Sequence, residues 1–503
     1  MKKVSLIIIL IFGLLTMSCN NLLNKQPLAE VSTSNAYQTK NDAVKAVTAA
    51  YRPLQPNMWY GPFPGNYGGY MQWVFGDIAS DNAEKGGESA SDQHYAYTIS
   101  HFTVTSTNTA IKEAWSDLYV GVHRANLVLD NVPAIKMDSN LKARLLGEAH
   151  FLRGYYYFQL VKLFGGVPLI LKSELTSYTQ ARATKDQVYQ QIIKDFQAAD
   201  QVLPLKSQYP TNDMGRATKG AADSYLGKVY LYMHKYTEAE KWFKKVIDSG
   251  QYSLDPNYLN MFRLSGQHGS GSIFEVNYVY STSYDVTNRA TVAHGSRAMY
   301  GWGFVCPTQD LASSFAKGDP REKETIYANG DTLSDGQVAD VGNSPTGYMN
   351  RKAYLPKDEF PPNGSAQSSG RDEVLMRLGK VLLWYAEAAN EDGHTQAALT
   401  ALNKVRARAR QGNPNVLPDI TETNKDSLRK IIWHEERDEY ALEHERFFDL
   451  VRTGRAASVF HAYAQKYNTT KGKNYKAGVN EVFPLPENDI SLSDGKLKQN
   501  QGY

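Results

Sequence analysis

Two stretches of the chain carry the same short helical pattern. The sequence LGKV at 226–229 recurs at 378–381, and each copy is followed by a second segment that opens with Thr-x-Ala, at Thr237 and at Thr395. A small residue where two helices cross, a short turn and an alanine on the facing helix are typical of tetratricopeptide helix pairs. The second copy lies farther from its Thr-x-Ala segment, so we expect the first helix of the later pair to be longer.

One such helix pair cannot bury its apolar face alone, so stacked neighbours are expected. Apolar residues at helical spacing predict helices at 35–56, 109–132, 140–164, 184–203, 217–235, 237–249, 373–392, 395–410 and 424–452. The segments 35–56 with 109–132, and 140–164 with 184–203, supply two further pairs. The sequence therefore predicts an all-α tetratricopeptide scaffold of about four helix pairs.

Two long stretches, at about 57–107 and 255–372, lose the helical period. They are rich in Gly, Tyr, Trp and Ser, with candidate short strands at 273–280 and around 350–355. We expect both to form large irregular loop insertions in the scaffold. Because binding residues concentrate on loops held by a rigid framework, these insertions are the expected working surface.

The first residues have the composition of a lipoprotein signal peptide. Lys2 and Lys3 precede an apolar run over 4–15, and Ser18 then precedes Cys19. The apolar run is too short to span a bilayer comfortably. We expect 1–18 to be removed, Cys19 to carry lipid, 19–34 to form a flexible tether and 35–503 to form one domain. An ordinary cleaved signal and an uncleaved anchor are the alternatives.

Charge and cysteine content exclude several kinds of site. The formal net charge is +3, and loss of Lys2 and Lys3 with the signal leaves +1. Nothing in that balance indicates a nucleic-acid groove or a polybasic membrane patch. Only two cysteines are present, so Cys306 has no intrachain partner once Cys19 is acylated. We expect Cys306 to be a small buried hydrophobe.

Motifs for catalysis or cofactor binding are missing from the sequence. It has no phosphate-binding loop, no dinucleotide fingerprint and no nucleophile elbow. His434 resembles the start of a zinc motif, but Asp438 stands where the second histidine is required. We interpret 424–452 as an amphipathic helix whose charges form a solvated face or ion pairs, such as those of Glu436, Asp438 and Glu439 with Arg437 and Arg446. Asp77 and Asp81 could be glycosidase carboxylates, although such residues more often stabilise turns. We therefore expect no enzyme activity, cofactor or metal.

Aromatic residues are concentrated in the two insertions. The chain contains 33 Tyr, 18 Phe and 7 Trp. Rings on glycine-rich loops can stack on the C–H faces of sugars, while Asn, Asp and Arg bond the hydroxyl groups. The alternative is that the rings fill the space between loop and scaffold. The rings in question are Trp59, Tyr60, Phe63, Tyr67, Tyr70 and Trp73 in the first insertion, and Tyr278, Tyr280, Tyr284, Tyr300, Trp302 and Phe304 in the second.

Five stretches together resemble one family. The run EAHFLRGYYYFQLVKLFGGVPL at 148–169 is similar to the signature of SusD/RagB-type nutrient-binding lipoproteins. The start at 18–22, the helix pair at 217–254, the segment 436–454 and the end of the chain, with FPLPE at 483–487 and QNQGY at 499–503, also resemble that family and occur in its order. One departure is His444, where the family usually has glycine.

The resemblance implies a tetratricopeptide fold, a lipid anchor in the outer membrane facing outward, and no chemistry. It also implies a partner, a SusC-like TonB-dependent transporter, to which an oligosaccharide is delivered.

Trp302 falls where a family member that binds starch has one stacking aromatic, and Tyr284 matches another. Trp59, Tyr60 and Tyr67 are further stacking candidates, and Asp81 and Asn82 are candidate polar contacts. The loop 82–93 lacks the tryptophan of the starch binder, so the match does not extend to starch. Capture of peptides or another nutrient, and a surface glycoside hydrolase, are the alternatives.

Overall fold

The computed structural model describes residues 36–55, 70–174, 179–281 and 286–503. The predicted signal peptide, Cys19 and the tether lie outside the described residues. So do four of the candidate ligand residues, Trp59, Tyr60, Tyr67 and Tyr284. Among the described residues, no helix combines the length and the apolar character needed to cross a membrane.

The described part of the chain is mainly helical. In chain order the α-helices are α1 (Lys40–Tyr51), α2 (Gln72–Gly76), α3 (His94–Ser100), α4 (Thr109–Asn131), α5 (Ser139–Phe164), α6 (Lys185–Val202), α7 (Lys219–Tyr232), α8 (Tyr236–Asp248), α9 (Ala290–His294), α10 (Gln309–Ala312), α11 (Pro320–Thr325), α12 (Leu378–Glu391), α13 (Thr395–Ala409), α14 (Lys425–Tyr440), α15 (Arg446–Arg452), α16 (Ala456–Tyr467) and α17 (Glu487–Leu492). The strands are β1 (Ala83–Lys85), β2 (Ser272–Val276), β3 (Val305–Pro307), β4 (Ile326–Ala328), β5 (Tyr348–Asn350) and β6 (Glu373–Arg377).

The long helices pack against one another in sequence, as the repeat pattern predicts. Helix α4 packs against α1 and α5, α5 against α6, α6 against α7, α7 against α8, and α8 against α12. Helix α12 in turn packs against α13 and α14. The prediction of an all-α tetratricopeptide scaffold is confirmed.

Side-chain caps explain why several helices begin where the sequence predicts. Asp138 accepts a hydrogen bond from the backbone N–H of Leu141, and Thr218 accepts one from Ala221. Thr184 and Gln187 form a reciprocal capping box at the start of α6. Each cap satisfies a backbone donor that the first turn of a helix leaves without an intrahelical partner.

The predicted helix at 373–392 begins five residues late, because 373–377 forms strand β6. This strand pairs antiparallel with β2, and Glu275 lies opposite Val374. Helices α7 and α12 both contain 14 residues, so the expectation of a longer first helix in the later pair is wrong. The LGKV pattern lies in the middle of α7 and at the start of α12.

The predicted helix at 424–452 is interrupted between Tyr440 and Arg446. Leu442 and His444 adopt left-handed backbone angles, with φ of 62° and 68°, which an α-helix cannot contain. The break turns two carboxylates inward: Glu443 pairs with Arg377 and Lys352, and Glu445 pairs with Lys228. Ion pairs with distant residues therefore accompany a break in the helix, although the apolar residues of 424–452 continue at helical spacing.

The acidic residues in the second half of α14 do not form a solvated face. Glu435, Glu436, Asp438 and Glu439 are all buried. Glu439 pairs with Arg321, Arg377 and Arg408, which come from α11, β6 and α13. Glu439 is therefore ion-paired, but the expected partners are wrong, because Arg437 and Arg446 pair with Asp81 instead.

The described residues form three two-stranded antiparallel sheets: one joins the two insertions, one joins the second insertion to the start of α12, and one lies within the second insertion. Strand β1 pairs with β3, β2 with β6, and β4 with β5. The β1–β3 pair joins the first insertion to the second, with Ala83 opposite Pro307. The strand predicted at 273–280 is found at 272–276, and the one expected around 350–355 lies at 348–350. Cys306 is buried in β3 as expected, and burial raises the pKa of its thiol to about 12.

Gly227 allows α7 and α8 to approach closely. A Cβ atom at Gly227 would lie 2.6 Å from the buried ring of Phe243, whereas one at Gly154 would lie 3.0 Å from Phe196. We expect Gly227→Ala to lower the free energy of unfolding by about 1–2 kcal/mol. Overpacking against Phe243 destabilises the fold by more than the higher helix propensity of alanine stabilises it. Gly154→Ala, the control, is expected to change it by less than about 1 kcal/mol. Urea denaturation measures both, and equal effects would contradict this account.

Candidate functional site

Trp302 lies in a glycine-rich loop between α9 and β3 and is half-buried. Its backbone N–H donates to the carbonyl of Val292 over 2.7 Å, which holds the loop against α9. The loop turns tightly at Gly301, where a Cβ atom would lie 2.2 Å from the carbonyl oxygen of Gly295. The indole ring lies 6.0 Å from the ring of Phe304, at an interplanar angle of 56°. One part of the ring is thus held by protein while the rest stays open.

The other rings of the second insertion divide between interior and surface. Tyr278 and Phe304 are buried, so the interpretation that rings fill the space beneath the loops is confirmed for these two. The hydroxyl of Tyr300 accepts a hydrogen bond from the N–H of Leu355 over 2.7 Å. Tyr280 is 36% exposed and is the ring that faces solvent most among these four.

A cleft of about 490 Å³ opens beside Tyr280. We call it the Tyr280 cleft. One wall is the segment 277–280, and the other is 358–362, which contributes Phe360 and two prolines. Phe360 packs against the small apolar cluster of Val292, Leu355 and Ala366, and Trp302 packs against the same cluster. The cleft and Trp302 are therefore linked through one apolar cluster.

Charged groups lie next to Trp302. The guanidinium of Arg297 donates to the carbonyl of Trp302 over 3.4 Å and forms an ion pair with Glu88. Asp92 lies 3.9 Å from the same guanidinium. Glu88 and Asp92 come from the first insertion, so both insertions contribute to the polar edge of this loop. A half-open indole beside exposed donors and acceptors suits a ligand with flat C–H faces and hydroxyl groups.

Asp81 and Asn82, the candidate polar contacts, lie inside the protein, each 1% exposed. Both carboxylate oxygens of Asp81 accept hydrogen bonds from Arg446, over 2.8 Å each, and Arg437 lies 3.0 Å away. Burial would raise the pKa of Asp81, but the two arginines hold it well below its usual range. Asn82 accepts a hydrogen bond from Arg437 over 2.8 Å. These contacts join the first insertion to α14 and α15, and a ligand contact by Asp81 would require the pair with Arg446 to open.

Four candidates, Trp59, Tyr60, Tyr67 and Tyr284, lie outside the described residues. The side chain of Gln55, the last described residue before 56–69, donates to the backbone carbonyl of Asn277. Asn277 also lines the Tyr280 cleft. Gln55 therefore contacts a residue that lines the cleft. The contacts of the four candidates with a ligand remain predictions.

Sequence reasoning missed the second wall of the cleft. Phe360 is followed by Pro-Pro-Asn-Gly at 361–364, a turn signature directly after an aromatic residue. That pattern could have identified an aromatic held at the surface. Two groups of described residues also have a geometry that could hold a metal ion, although no sequence motif indicates one. They are Glu240, Asp392 and His394 at the scaffold surface, and His268, Glu275 and Asp372 beside the cleft.

Comparison with family models matches most of the chain in two parts. A model described as "SusD family" matches residues 270–503, and one described as "Starch-binding associating with outer membrane" matches 58–231. Curated relatives include two SusD-like proteins of Formosa agariphila. One is 24% identical over the full length of both chains, and the other is 26% identical over 91% of this chain and 92% of its own.

Solved structures share the fold over nearly the whole chain. A "Laminarin binding SusD-like protein" is 28% identical, covers 93% of this chain and 100% of its own, and superposes with a TM-score of 0.79. Surface glycan-binding protein A from Bacteroides thetaiotaomicron, solved in complex with laminarihexaose, is 23% identical, covers 92% of this chain and 100% of its own, and has the same TM-score of 0.79. The second likeness supports the fold alone.

Proposed function

The chain belongs to the SusD/RagB family of SusD-like proteins, a non-catalytic family, and from that premise we propose that it is a cell-surface glycan-binding lipoprotein. Its role is to capture an oligosaccharide and deliver it to a SusC-like TonB-dependent transporter in the outer membrane. Lipid on Cys19 would anchor it there, facing the exterior. The family description "associating with outer membrane" supports that location.

The observation that carries the proposal is the likeness to the laminarin-binding structure over almost all of the chain. Laminarin is a β-1,3-linked glucan, so we propose β-1,3-glucan oligosaccharides as the ligand class. Such chains present a flat C–H face and hydroxyl edges, which match a half-open indole with charged groups at its side. The lack of tryptophan in 82–93 agrees with a ligand other than starch.

Within this proposal Trp302 and Tyr284 stack on the sugar rings. Trp59, Tyr60 and Tyr67 extend the stacking surface. Asp81 and Asn82, the polar contacts of the sequence hypothesis, reach a ligand only if their hydrogen bonds with Arg446 and Arg437 open. Trp302 is the residue to test first, because it is the candidate ring whose placement and packing the structure describes.

We expect Trp302→Ala to weaken binding of laminarin oligosaccharides tenfold or more, which corresponds to about 1.4 kcal/mol or more. The loss follows from removal of a large, half-open apolar surface at the centre of the proposed site. Isothermal titration calorimetry of the mature protein without its lipid measures the affinity. Affinity electrophoresis in gels containing laminarin, starch, mannan or xylan tests the ligand class.

Trp242→Ala is the matched control, since Trp242 is also half-buried but lies on α8 of the scaffold. It is expected to leave affinity unchanged. Full affinity in Trp302→Ala would remove Trp302 from the site. If the protein is retained by none of the glycans but binds peptides, the peptide alternative replaces the glycan proposal.

A further inference from the structure

Three side chains that are distant in sequence meet beside the Tyr280 cleft. His268 lies in the turn before β2, Glu275 is in β2, and Asp372 directly precedes β6. In the β2–β6 register Glu275 lies opposite Val374, and Asp372 is two residues from Val374. Side chains two residues apart on a strand point to the same face, so the register places both carboxylates on one side of the sheet.

The three side chains lie close enough together to reach a single metal ion. His268 Nδ1 lies 3.5 Å from Glu275 Oε2, and His268 Nε2 lies 3.4 Å from Asp372 Oδ2. One ligand atom from each residue lies within 4.8 Å of the others. A histidine binds a metal ion through only one ring nitrogen, so the carboxylate that faces the other nitrogen must turn toward the ion. Ligand atoms bound at about 2.0–2.2 Å from a Zn²⁺ ion in tetrahedral geometry lie roughly 3.3–3.6 Å apart, so the three side chains must move closer together on binding.

Backbone hydrogen bonds already orient the two carboxylates. The N–H of Tyr278 donates to Asp372 Oδ1 over 2.7 Å, which leaves Oδ2 directed at the histidine. The N–H of His268 donates to the carboxylate of Glu275, at 3.2 and 3.1 Å from its two oxygens. Such outer contacts fix ligand orientation in metal sites.

The cluster contains two buried carboxyl groups. The side chains of Glu275 and Asp372 are 1% and 3% exposed, and among the described residues His268 alone forms an ion pair with either. The nearby cations are engaged elsewhere: Lys206 donates to the carbonyls of Gly269 and Ser272, and Arg371 pairs with Glu359. Two buried carboxylates facing one imidazole are stabilised by a divalent cation.

An ion can reach this cluster from solvent. The side chain of His268 is 26% exposed, and His268 and Asp372 both line the Tyr280 cleft. One imidazole with two carboxylates suits Zn²⁺ and similar transition metals, whereas Ca²⁺ takes six to eight oxygen ligands. We propose that His268, Glu275 and Asp372 form a binding site for a divalent transition metal of the Zn²⁺ class, with water and cleft-bound groups completing its coordination.

The test is direct titration of untagged, chelator-treated mature protein with ZnCl₂ by isothermal titration calorimetry. We expect one Zn²⁺ per chain at this site, and affinity reduced tenfold or more in His268→Ala and in Asp372→Asn. CoCl₂ supplies a second readout, because visible absorption bands of Co²⁺ report a nitrogen and oxygen shell of low coordination number. His394→Ala, at the exposed surface cluster, is the control and should leave both readouts unchanged.

Circular dichroism and thermal melts of each variant separate metal loss from misfolding, and Asp372→Asn keeps the shape of the side chain. The proposal is overturned if the parent binds no stoichiometric Zn²⁺. It is also overturned if folded His268→Ala and Asp372→Asn bind Zn²⁺ as well as the parent, or if His394→Ala alone removes the site. None of these readouts depends on glycan binding.

Discussion

Replacing Arg377 by methionine is expected to lower the free energy of unfolding by about 3 kcal/mol or more. The Arg377 side chain is fully buried, and its guanidinium contacts two carboxylates: Nη1 lies 2.6 Å from Glu439 Oε1, while Nε and Nη2 each lie 2.8 Å from an oxygen of Glu443. It also donates to the backbone carbonyl of Glu439 over 2.6 Å. Methionine fills a similar volume but leaves these buried acceptors without their donor.

The charge balance of this network depends on the arginine. Burial would raise the pKa values of both carboxyl groups, but the surrounding cations lower that of Glu439 to about 2 and hold that of Glu443 well below its usual range. Glu443 keeps Lys352, and Glu439 keeps Arg321, after the substitution. The loss is therefore that of one buried bidentate partner, and not of the whole network.

Urea denaturation of parent and variant measures this effect. Arg410→Met is the matched control, because Arg410 pairs with Asp419, whose side chain is 60% exposed. Exposed ion pairs contribute at most about 1 kcal/mol, so the free energy of unfolding of this control should be close to that of the parent. Arg377→Lys keeps the charge but loses the bidentate geometry and should be intermediate. Equal stabilities of Arg377→Met and Arg410→Met would contradict a stabilising role for the buried network.

Local signals were sufficient to predict the scaffold helices. The observed α5, α6, α7 and α8 lie within three residues of the ranges expected from the apolar period, because caps and periodicity are properties of short segments. The two errors in the scaffold have one cause. It is a partner distant in sequence: the start of α12 is set by the pairing of β6 with β2, and the break before α15 by carboxylates that pair with Arg377, more than 60 positions away in the chain. No local pattern contains that information.

The candidate site was likewise predictable only in part. Aromatic clustering indicated the second insertion, where the structure places a half-open Trp302 and an exposed Tyr280. It could not distinguish these rings from Tyr278, which is buried, because a ring on an irregular loop has no periodicity that reveals its face. The His268 cluster escaped prediction for a further reason. Its residues come from a turn, from β2 and from the position before β6, and these meet only through the β2–β6 pairing, so their spacing in sequence resembles no metal motif.

His444 is expected to make the stability of the protein depend on pH above neutrality. It stands where the family resemblance leads one to expect glycine, and its φ of 68° is a conformation that favours glycine. Its imidazole lies between two carboxylates, with Nδ1 2.6 Å from Asp77 and Nε2 3.2 Å from Glu373. Burial alone would lower its pKa, but these carboxylates outweigh burial and raise the pKa to about 10.

The direction of the effect follows from the two pKa values. An unfolded histidine titrates near pH 6.5. Because the folded pKa is higher, the stabilisation by the imidazolium is fully present below about pH 6.5 and is lost as pH rises toward 10. A pKa difference of this size corresponds to roughly 3–5 kcal/mol.

We therefore expect His444→Gln to be less stable than the parent by several kcal/mol at pH 6 and by progressively less as pH approaches 10. Urea denaturation of both proteins at intervals of one pH unit gives the difference in stability at each pH.

The buried Lys352, whose pKa burial lowers to about 8, also titrates in this range, but it is present in both proteins and its contribution cancels in the difference. His444→Gly relieves the backbone strain at every pH. Its free energy of unfolding should therefore differ from that of His444→Gln by an amount that does not change with pH. A parent-minus-variant difference that does not change with pH would show that His444 is not held as a cation between Asp77 and Glu373.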